Sequence, residues 1–400
     1  MKLKKYEPFF KDLFLNTFSF AIYILAQQIL FMPLMGKMLS EDMFANFVIY
    51  ISIFSILTNS LGNELGITSQ VIKTDEDDYK YIKLLLVTSC ITAIISFVGC
   101  IILKFSFIDC VMLSIAMFLA NVRLFIGGYF RKYKLFKNVL VQNAFYMVGM
   151  IIGLIIFYYK RIIFIPSILA EAFSLIYSLS KYNIIKFLSK NTIVDKKIIK
   201  GFSSFSFVSF LGNMLTYFDK IMIYPILGTY AVNVYYSTST MSKIVNMVIN
   251  PIHGVLLTWI NKGDNDYNKK IIIKAIKASL VFIIISILIS IPVTYLAVKM
   301  LYGQYFLSSK TIVFPISLAL GFSVGMTIIK SFVMKFIKTK ELVFMYILYI
   351  LIFIICSIIM SNKLGIIGFA YSSFIAKLFI YLEFIVCLYN ACKRGDFSEK

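Results

Sequence analysis

Windows of about 20 predominantly apolar residues recur along the whole sequence, and they limit the possible folds more than any other feature. As a helix, a stretch of this length crosses the roughly 30 Å hydrocarbon core of a bilayer. A helix also satisfies its own backbone hydrogen bonds, which lipid cannot do. The pattern therefore predicts an all-α integral membrane protein with about twelve transmembrane helices. The predicted spans are roughly 13–35, 43–66, 82–103, 107–129, 139–159, 162–182, 202–227, 231–259, 272–298, 311–333, 342–361 and 365–391.

The composition excludes a soluble globular protein and argues against nucleic acid as a partner. Hydrophobic residues make up 60% of the chain, whereas roughly 45–50% is usual for soluble domains. The formal net charge is +21, but the basic residues lie in short segments between the apolar windows. All seven segments on one side are basic, and no segment on the other side carries more than two basic residues. This positive-inside distribution predicts that both termini are cytoplasmic. The first window is too long for a signal peptide and lacks a small-residue cleavage site.

Two faint internal matches predict that the chain consists of two related halves. Residues 31–36 (FMPLMG) match 223–228 (IYPILG), each at the predicted end of a helix, and residues 132–133 (KY) match 335–336 (KF) at a second position. Matches in the same order along a chain are typical of a duplicated membrane protein. We therefore expect two pseudo-repeated six-helix lobes, residues 1–195 and 196–400, around a central cavity.

Several charged residues fall deep inside predicted spans. A charge at the bilayer centre costs about 2.5–3.5 kcal/mol on insertion scales, so each such residue is a functional candidate. Lys243 and Lys377 lie near the middle of their helices, where each could line a cavity or belong to an internal ion pair. Arg123 lies in the inner third of the fourth helix, within reach of the membrane interface. Glu171, near the centre of the sixth helix, is the best candidate for a buried partner or a proton site.

A second group of candidates lies in the seventh, eighth and twelfth helices. Asp219 and Lys220 are adjacent, so we expect them to point to different sides of their helix rather than to form a mutual pair. Each should then have a partner on another helix. Glu383 lies in the inner half of the last helix and is a candidate for ion coupling or an ion pair. Asn246 and Tyr235 could line a cavity, although Tyr235 could equally belong to an interfacial aromatic belt. Among the charged residues deep in the predicted spans, basic residues outnumber acidic ones, which favours an anionic cargo.

The sequence contains no motif of a known enzyme class in the structural context that the motif requires. It has no phosphate-binding loop and no HExxH zinc motif, and the GxSxG string at residues 321–325 (GFSVG) lies inside a predicted transmembrane span rather than at the strand-to-helix turn of a nucleophile elbow. The six cysteines lie in or beside apolar helices and form no CxxC pair. We therefore expect neither catalysis nor a bound metal or cofactor.

The seventh and eighth helices carry the sequence features that point to a family. The pair Asp219-Lys220 is followed by Pro225, by Leu227-Gly228 and, after a short gap, by Tyr235-Tyr236. With twelve spans and two halves, the chain resembles the bacterial polysaccharide-transport family, whose members flip lipid-linked oligosaccharides for O-antigen lipopolysaccharide and capsule. The family belongs to the multidrug/oligosaccharidyl-lipid/polysaccharide (MOP) exporter superfamily. The resemblance covers nearly the whole chain by topology.

This resemblance implies transport of an undecaprenyl-diphosphate-linked repeat unit to the outer leaflet of the bacterial cytoplasmic (inner) membrane by alternating access. It also implies contact with membrane lipids and, in the same pathway, with a polymerase and a chain-length regulator. Two alternatives remain open. A multidrug or other small-molecule exporter of the same superfamily would share the architecture, but its cation pocket should be dominated by acids. An O-antigen polymerase should have a large extracytoplasmic loop, which the spacing of the windows leaves no room for.

Overall fold

The structure is a computed structural model in which part of the chain is described. The backbone is described for residues 7–71, 79–182, 196–262, 269–336 and 339–394. Side chains are described for residues 11–12, 14–71, 81–182, 196–242, 272–330, 332–333 and 340–390.

The described residues form twelve long helices, α1–α12, which follow one another with short connections. In the first half, α1 consists of Glu7–Ile24, the π-helical segment Leu25–Phe31 and Met32–Met38. In the same way, α2 consists of Glu41–Leu57, the π-helical segment Thr58–Asn63 and Glu64–Val71. The next four helices are α3 (Tyr79–Ile102), α4 (Phe107–Lys132), α5 (Phe136–Lys160) and α6 (Ile165–Lys181). In the second half, the helical stretch Lys196–Lys262 is divided at Gly228 into α7 (196–227) and α8 (229–262). The next two helices are α9 (Lys269–Leu301) and α10 (Val313–Phe336). The last stretch, Thr339–Arg394, is divided at Gly365 into α11 (339–364) and α12 (366–394). A short turn, Gly303–Tyr305, and the short helix Phe306–Ser309 connect α9 to α10.

Nine stretches of the described chain are long and apolar enough to cross a membrane. The number is lower than twelve because α7 and α8 form one continuous stretch, as do α11 and α12. The remaining helix, α6, has only 17 residues. The prediction of an all-α, multi-pass membrane protein with about twelve helices is confirmed.

Two glycines with positive φ reverse the chain between paired helices. Gly228 has φ of 78° and Gly365 has φ of 57°, a backbone region that glycine enters without the steric cost of a Cβ. The predicted turn between the seventh and eighth helices therefore lies at Gly228. Gly36, which the internal sequence match pairs with Gly228, lies inside the helical segment Met32–Met38 instead. The two matched glycines do not share a backbone conformation.

The chain forms two compact units. Unit 1 contains Met1–Met38 and Ile49–Tyr217, and unit 2 contains Leu39–Val48 and Phe218–Lys400. Unit 1 therefore includes residues 196–217 of α7, and the sequence-based boundary between residues 195 and 196 stays a prediction. The start of α2 belongs to unit 2 through direct contacts. There the Asn233 amide donates to the carbonyl of Glu41 at 2.9 Å, and the ring of Phe44 lies 6.1 Å from that of Tyr236.

Small residues bring the helices of unit 1 close together. Gly149 and Gly153 are spaced four residues apart on α5, and a Cβ on either would overlap the backbone of α6, at Leu169 for Gly149 and at Pro166 for Gly153. Such spacing of small residues lets membrane helices approach closely and gain van der Waals contact. The crossing of α5 and α6 matters for the site because it determines where Glu171 lies relative to α4.

We expect the substitution Gly149→Leu to destabilise unit 1 by about 1–3 kcal/mol, since the added side chain cannot fit against α6. The matched control is Gly99→Leu on α3, where an added Cβ meets no atom within 4 Å. Thermal unfolding of the detergent-purified proteins would show a clearly lower midpoint for Gly149→Leu and a midpoint near that of the wild type for Gly99→Leu. Equal midpoints in the two variants would contradict the close crossing of α5 and α6.

Candidate functional site

The deep polar residues fall into two clusters, one in each unit. The unit 1 cluster consists of Arg123, Glu171, Tyr23, Tyr146 and Gln142. The unit 2 cluster consists of Asp219, Lys220, Tyr235, Tyr349 and Lys377.

A buried ion pair forms the centre of the unit 1 cluster. The Arg123 guanidinium on α4 donates from Nε to Glu171 Oε2 at 2.5 Å and from Nη2 to Glu171 Oε1 at 3.1 Å. The two side chains are only 5% and 2% exposed. This two-pronged geometry is the strongest form of an arginine–carboxylate contact. The structure thus places Arg123 and Glu171 together, and the pair has no net formal charge.

Aromatic rings and amides complete the surroundings of this ion pair. The Arg123 Cζ lies 5.4 Å from the ring centroid of Tyr23 and 5.1 Å from that of Tyr146, within the range of cation–π attraction. The Gln142 amide donates to the Arg123 carbonyl at 3.1 Å and to Ser178 Oγ at 2.8 Å. These contacts connect α1, α4, α5 and α6 through polar groups. In a membrane protein such groups are costly unless they are paired.

The unit 2 cluster is organised around the Asp219 carboxylate. Asp219 Oδ1 accepts hydrogen bonds from Lys220 Nζ at 3.1 Å and from the Lys220 backbone N–H at 3.0 Å. Asp219 Oδ2 accepts a hydrogen bond from the Tyr235 hydroxyl on α8 at 3.0 Å. All three side chains are almost completely buried.

The prediction that Asp219 and Lys220 cannot form a mutual pair is therefore wrong. Adjacent residues leave a helix about 100° apart, which argued for separate partners. The four-carbon stem of lysine is nevertheless long and flexible enough to fold back, so that its ammonium reaches the carboxylate of the preceding residue. Tyr235 is an additional partner of Asp219 on another helix.

Lys377 gives the unit 2 cluster an excess of positive charge. It lies on α12 and is 8% exposed. Asp219 attracts its ammonium group and Lys220 repels it, although no carboxylate lies within ion-pair distance of Lys377 in the described residues. Two lysines and one aspartate leave a formal charge of +1. Aromatic rings line the same region, where Tyr235 packs against Phe369 at a centroid distance of 5.1 Å.

Three other predicted site residues lie outside these clusters. The backbones of Lys243 and Asn246 belong to α8, but their side chains lie outside the described residues. Glu383 on α12 is half-buried, and its Oε2 is enclosed without a hydrogen-bond partner in the part of the chain that the structure describes. Glu383 thus differs from Glu171 and Asp219, whose oxygens are all paired.

Sequence reasoning missed four residues of the clusters. Three of them, Tyr23, Tyr146 and Tyr349, are single tyrosines in apolar helices, where an aromatic residue is ordinary core filling. The fourth, Gln142, carries a detectable signal, because an amide inside a predicted span needs a hydrogen-bond partner just as a charge needs a counter-charge.

Solved membrane transporters share this fold. A Vibrio cholerae MATE transporter, VcmN, solved as a mutant, matches with a TM-score of 0.68 and 12% identity, covering 97% of this chain and 98% of that one. An outward-facing multidrug resistance MATE family transporter of the MOP superfamily matches with a TM-score of 0.65 and 12% identity, covering 96% of each chain. The lipid II flippase MurJ, in an inward closed conformation, matches with a TM-score of 0.64 and 16% identity, covering 98% of this chain and 88% of that one.

No protein-family model matches the chain, and no curated protein matches its sequence significantly. At 12–16% identity, the similarity to solved structures concerns the fold alone. The chain therefore has the fold of the MATE and MurJ transporters of the MOP superfamily. Membership of the polysaccharide-transport family stays a prediction.

We expect Glu171→Ala to destabilise the protein by about 3–5 kcal/mol, because it leaves the buried guanidinium of Arg123 without its counter-charge. Replacing both partners, as in Arg123→Met combined with Glu171→Leu, should restore much of the lost stability, since no unpaired charge remains. Thermal unfolding in detergent measures both effects. If the double variant is no more stable than Glu171→Ala, the pair does not dominate the stability of this cluster.

Proposed function

We propose that the protein is a flippase that moves an undecaprenyl-diphosphate-linked oligosaccharide repeat unit from the inner to the outer leaflet of the bacterial cytoplasmic membrane. Two findings support this proposal. The fold is shared with the lipid II flippase MurJ over nearly the whole of this chain. The charged residues of the unit 2 cluster, Asp219, Lys220 and Lys377, sum to +1, which suits an anionic head group.

Lys377 is the observation that carries the proposal. A buried ammonium costs free energy in a membrane unless an anion compensates it. Asp219, the acid that acts on Lys377, already accepts hydrogen bonds from Lys220 and Tyr235. A diphosphate diester with about two negative charges would supply the missing compensation. The aromatic rings of Tyr235 and Phe369 are buried beside the cluster and pack against each other, so they would contact sugar rings only in a conformation that opens this region.

Transport of such a cargo is energetically reasonable without ATP. Moving a negative charge outward across an inside-negative membrane gains about 2.3 kcal/mol per charge for each 100 mV of potential. The protein then has to lower the cost of taking the head group through the hydrocarbon core, and buried cations do so. We infer that the binding site is exposed alternately to the two sides of the membrane, while the polyprenyl tail stays in lipid.

The orientation of the chain is part of the proposal. Applied to the basic segments, the positive-inside rule predicts that both termini are cytoplasmic. The ends of α2, α4 and α6 and the start of α7 then lie on the cytoplasmic side, where a lipid-linked repeat unit would be loaded. A polymerase and a chain-length regulator would act on the product at the outer leaflet.

A drug exporter of the same superfamily is the alternative function. The similarity in fold to MATE transporters favours this alternative. The same fold is also shared with MurJ, so the fold does not distinguish a drug exporter from a flippase. A pocket for cationic drugs would need uncompensated acids, whereas the unit 2 cluster has an uncompensated lysine. Charge therefore favours the flippase.

We expect Lys377→Ala to reduce transport by about tenfold or more, since it removes a charge-assisted contact to the cargo. The matched control is Lys363→Ala, because Lys363 is an exposed lysine near the turn at Gly365. Each variant is expressed in a strain that lacks the chromosomal gene, and surface polysaccharide and accumulated lipid-linked repeat unit are measured at equal membrane protein level. A Lys243→Ala, Lys377→Ala double variant tests the other deep lysine.

The outcomes separate the two functions. Loss of surface polysaccharide with Lys377→Ala, but not with Lys363→Ala, supports the flippase. Normal polysaccharide in the gene-deletion strain, together with increased sensitivity to cationic drugs, would instead support the exporter.

A further inference from the structure

Two cysteines of unit 1, Cys100 and Cys110, have neighbouring thiols where α3 is followed by α4. Cys100 lies in the last turn of α3 and Cys110 in the first turn of α4. The two side chains are within hydrogen-bonding distance of each other. Both are free thiols in the structure, and neither has exposed surface. Cys90, the other cysteine of α3, is exposed by contrast.

The short connection between α3 and α4 holds the two cysteines in place. The chain leaves α3 through Lys104, whose φ of 60° is the left-handed conformation that commonly ends a helix. The Phe105 N–H then donates to the Cys100 carbonyl at 3.2 Å. The Phe105 carbonyl accepts a weak hydrogen bond from Cys110 Sγ at 3.8 Å. The backbone of one residue therefore contacts both cysteines, and their proximity depends on local structure.

A tyrosine and a pair of phenylalanines enclose the two thiols. The Tyr50 hydroxyl on α2 forms a hydrogen bond with Ser96 Oγ, one turn before Cys100 on α3. Both thiols lie close to this tyrosine. The ring of Phe164 packs against the rings of Tyr50 and Phe105, at centroid distances of 5.5 and 5.3 Å. Once the helices have packed, an oxidant has no path to the thiols through these side chains.

The side of the membrane determines whether two neighbouring thiols are oxidised. In the orientation that belongs to the proposed function, both termini are cytoplasmic and the connection between α3 and α4 lies on the outer side. Outside the bacterial cytoplasmic membrane, thiol–disulfide exchange converts cysteine pairs to disulfides. In the cytoplasm, the same pair would be kept reduced.

We propose that Cys100 and Cys110 form a disulfide bond, which ties the outer ends of α3 and α4 together. The oxidant is the disulfide of a thiol–disulfide exchange protein on the outer side of the membrane. One thiolate attacks a sulfur of that disulfide to form a mixed disulfide, and the other thiolate then displaces the exchange protein as its dithiol. The cysteine pair loses two electrons and two protons, and the exchange protein gains them.

The exchange takes place during folding, before the helices have packed. At that stage the ten-residue separation of Cys100 and Cys110 makes them close neighbours in the chain, so the loop closes at a small entropic cost. The inference rests on the orientation in the proposed function and does not depend on the cargo.

The test is the redox state of the six cysteines of the full-length protein, measured by mass spectrometry. Membranes are denatured directly in an excess of an alkylating reagent, so that free thiols are capped before any exchange can occur. The protein is then analysed intact and after digestion without a reductant. Cys110→Ala removes one member of the pair, and Cys90→Ala on α3 is the matched control. The wild type is also prepared from a strain that lacks the exchange protein.

We expect the wild type to take up four alkyl groups instead of six and to yield a disulfide between Cys100 and Cys110 after digestion. Reduction before alkylation should restore uptake to six. Cys90→Ala should take up three groups and keep the disulfide. Cys110→Ala should take up five, since Cys100 has then lost its partner. The wild type from the strain without the exchange protein should take up six.

Contrary results separate the disulfide from the orientation. Six alkyl groups on the wild type, or a disulfide to any other cysteine, overturns the proposed bond. The orientation is tested in a background without native cysteines, by labelling intact cells with a membrane-impermeant maleimide. Lys160→Cys should be labelled and Lys134→Cys should not, because these exposed positions lie at opposite ends of α5. If that pattern holds while the wild type has six free thiols, only the disulfide fails. The reverse pattern overturns the orientation in the proposed function.

Discussion

This structure depends on one requirement: in lipid, every backbone N–H and C=O group needs a hydrogen-bond partner within the protein. Each unsatisfied N–H or C=O group in hydrocarbon costs several kcal/mol, so a chain that crosses a membrane many times has to do so as helices. Specific contacts then depend on side chains that project from helix surfaces. The fold accordingly concentrates its polar groups in two clusters, and small residues such as Gly149 and Gly153 permit the close crossings that position them.

The two clusters solve the problem of buried charge in different ways. In unit 1, Arg123 and Glu171 compensate each other almost completely, which makes that cluster a stable polar centre in apolar surroundings. In unit 2, Asp219 is shared between Lys220 and Tyr235, and Lys377 remains in excess. An internally neutral cluster has little reason to attract an ion, whereas a cluster with a surplus ammonium has one. This difference is why the proposed head-group contact lies in unit 2.

Sequence reasoning predicted the helices because apolar windows of membrane-spanning length are a strong signal that depends on no distant part of the chain. It also selected Arg123, Glu171 and Lys377, because the depth of a charge in a span can be read directly from the window that contains it. Pairing could not be predicted in the same way. Arg123 and Glu171 are 48 residues apart, so their contact depends on which helices are neighbours. The contact between Lys220 and Asp219 depends on a side-chain conformation, which helical geometry alone does not determine.

The single-residue turns have a mechanical consequence. At Gly228 and Gly365 one residue separates two long helices, so the two helix ends that meet there cannot move far apart. The helices α11 and α12 thus form one hairpin that is joined at the glycine, and a displacement of the start of α12 also displaces the end of α11. Because glycine allows a wide range of backbone angles, the angle between the two helices can still change at this residue.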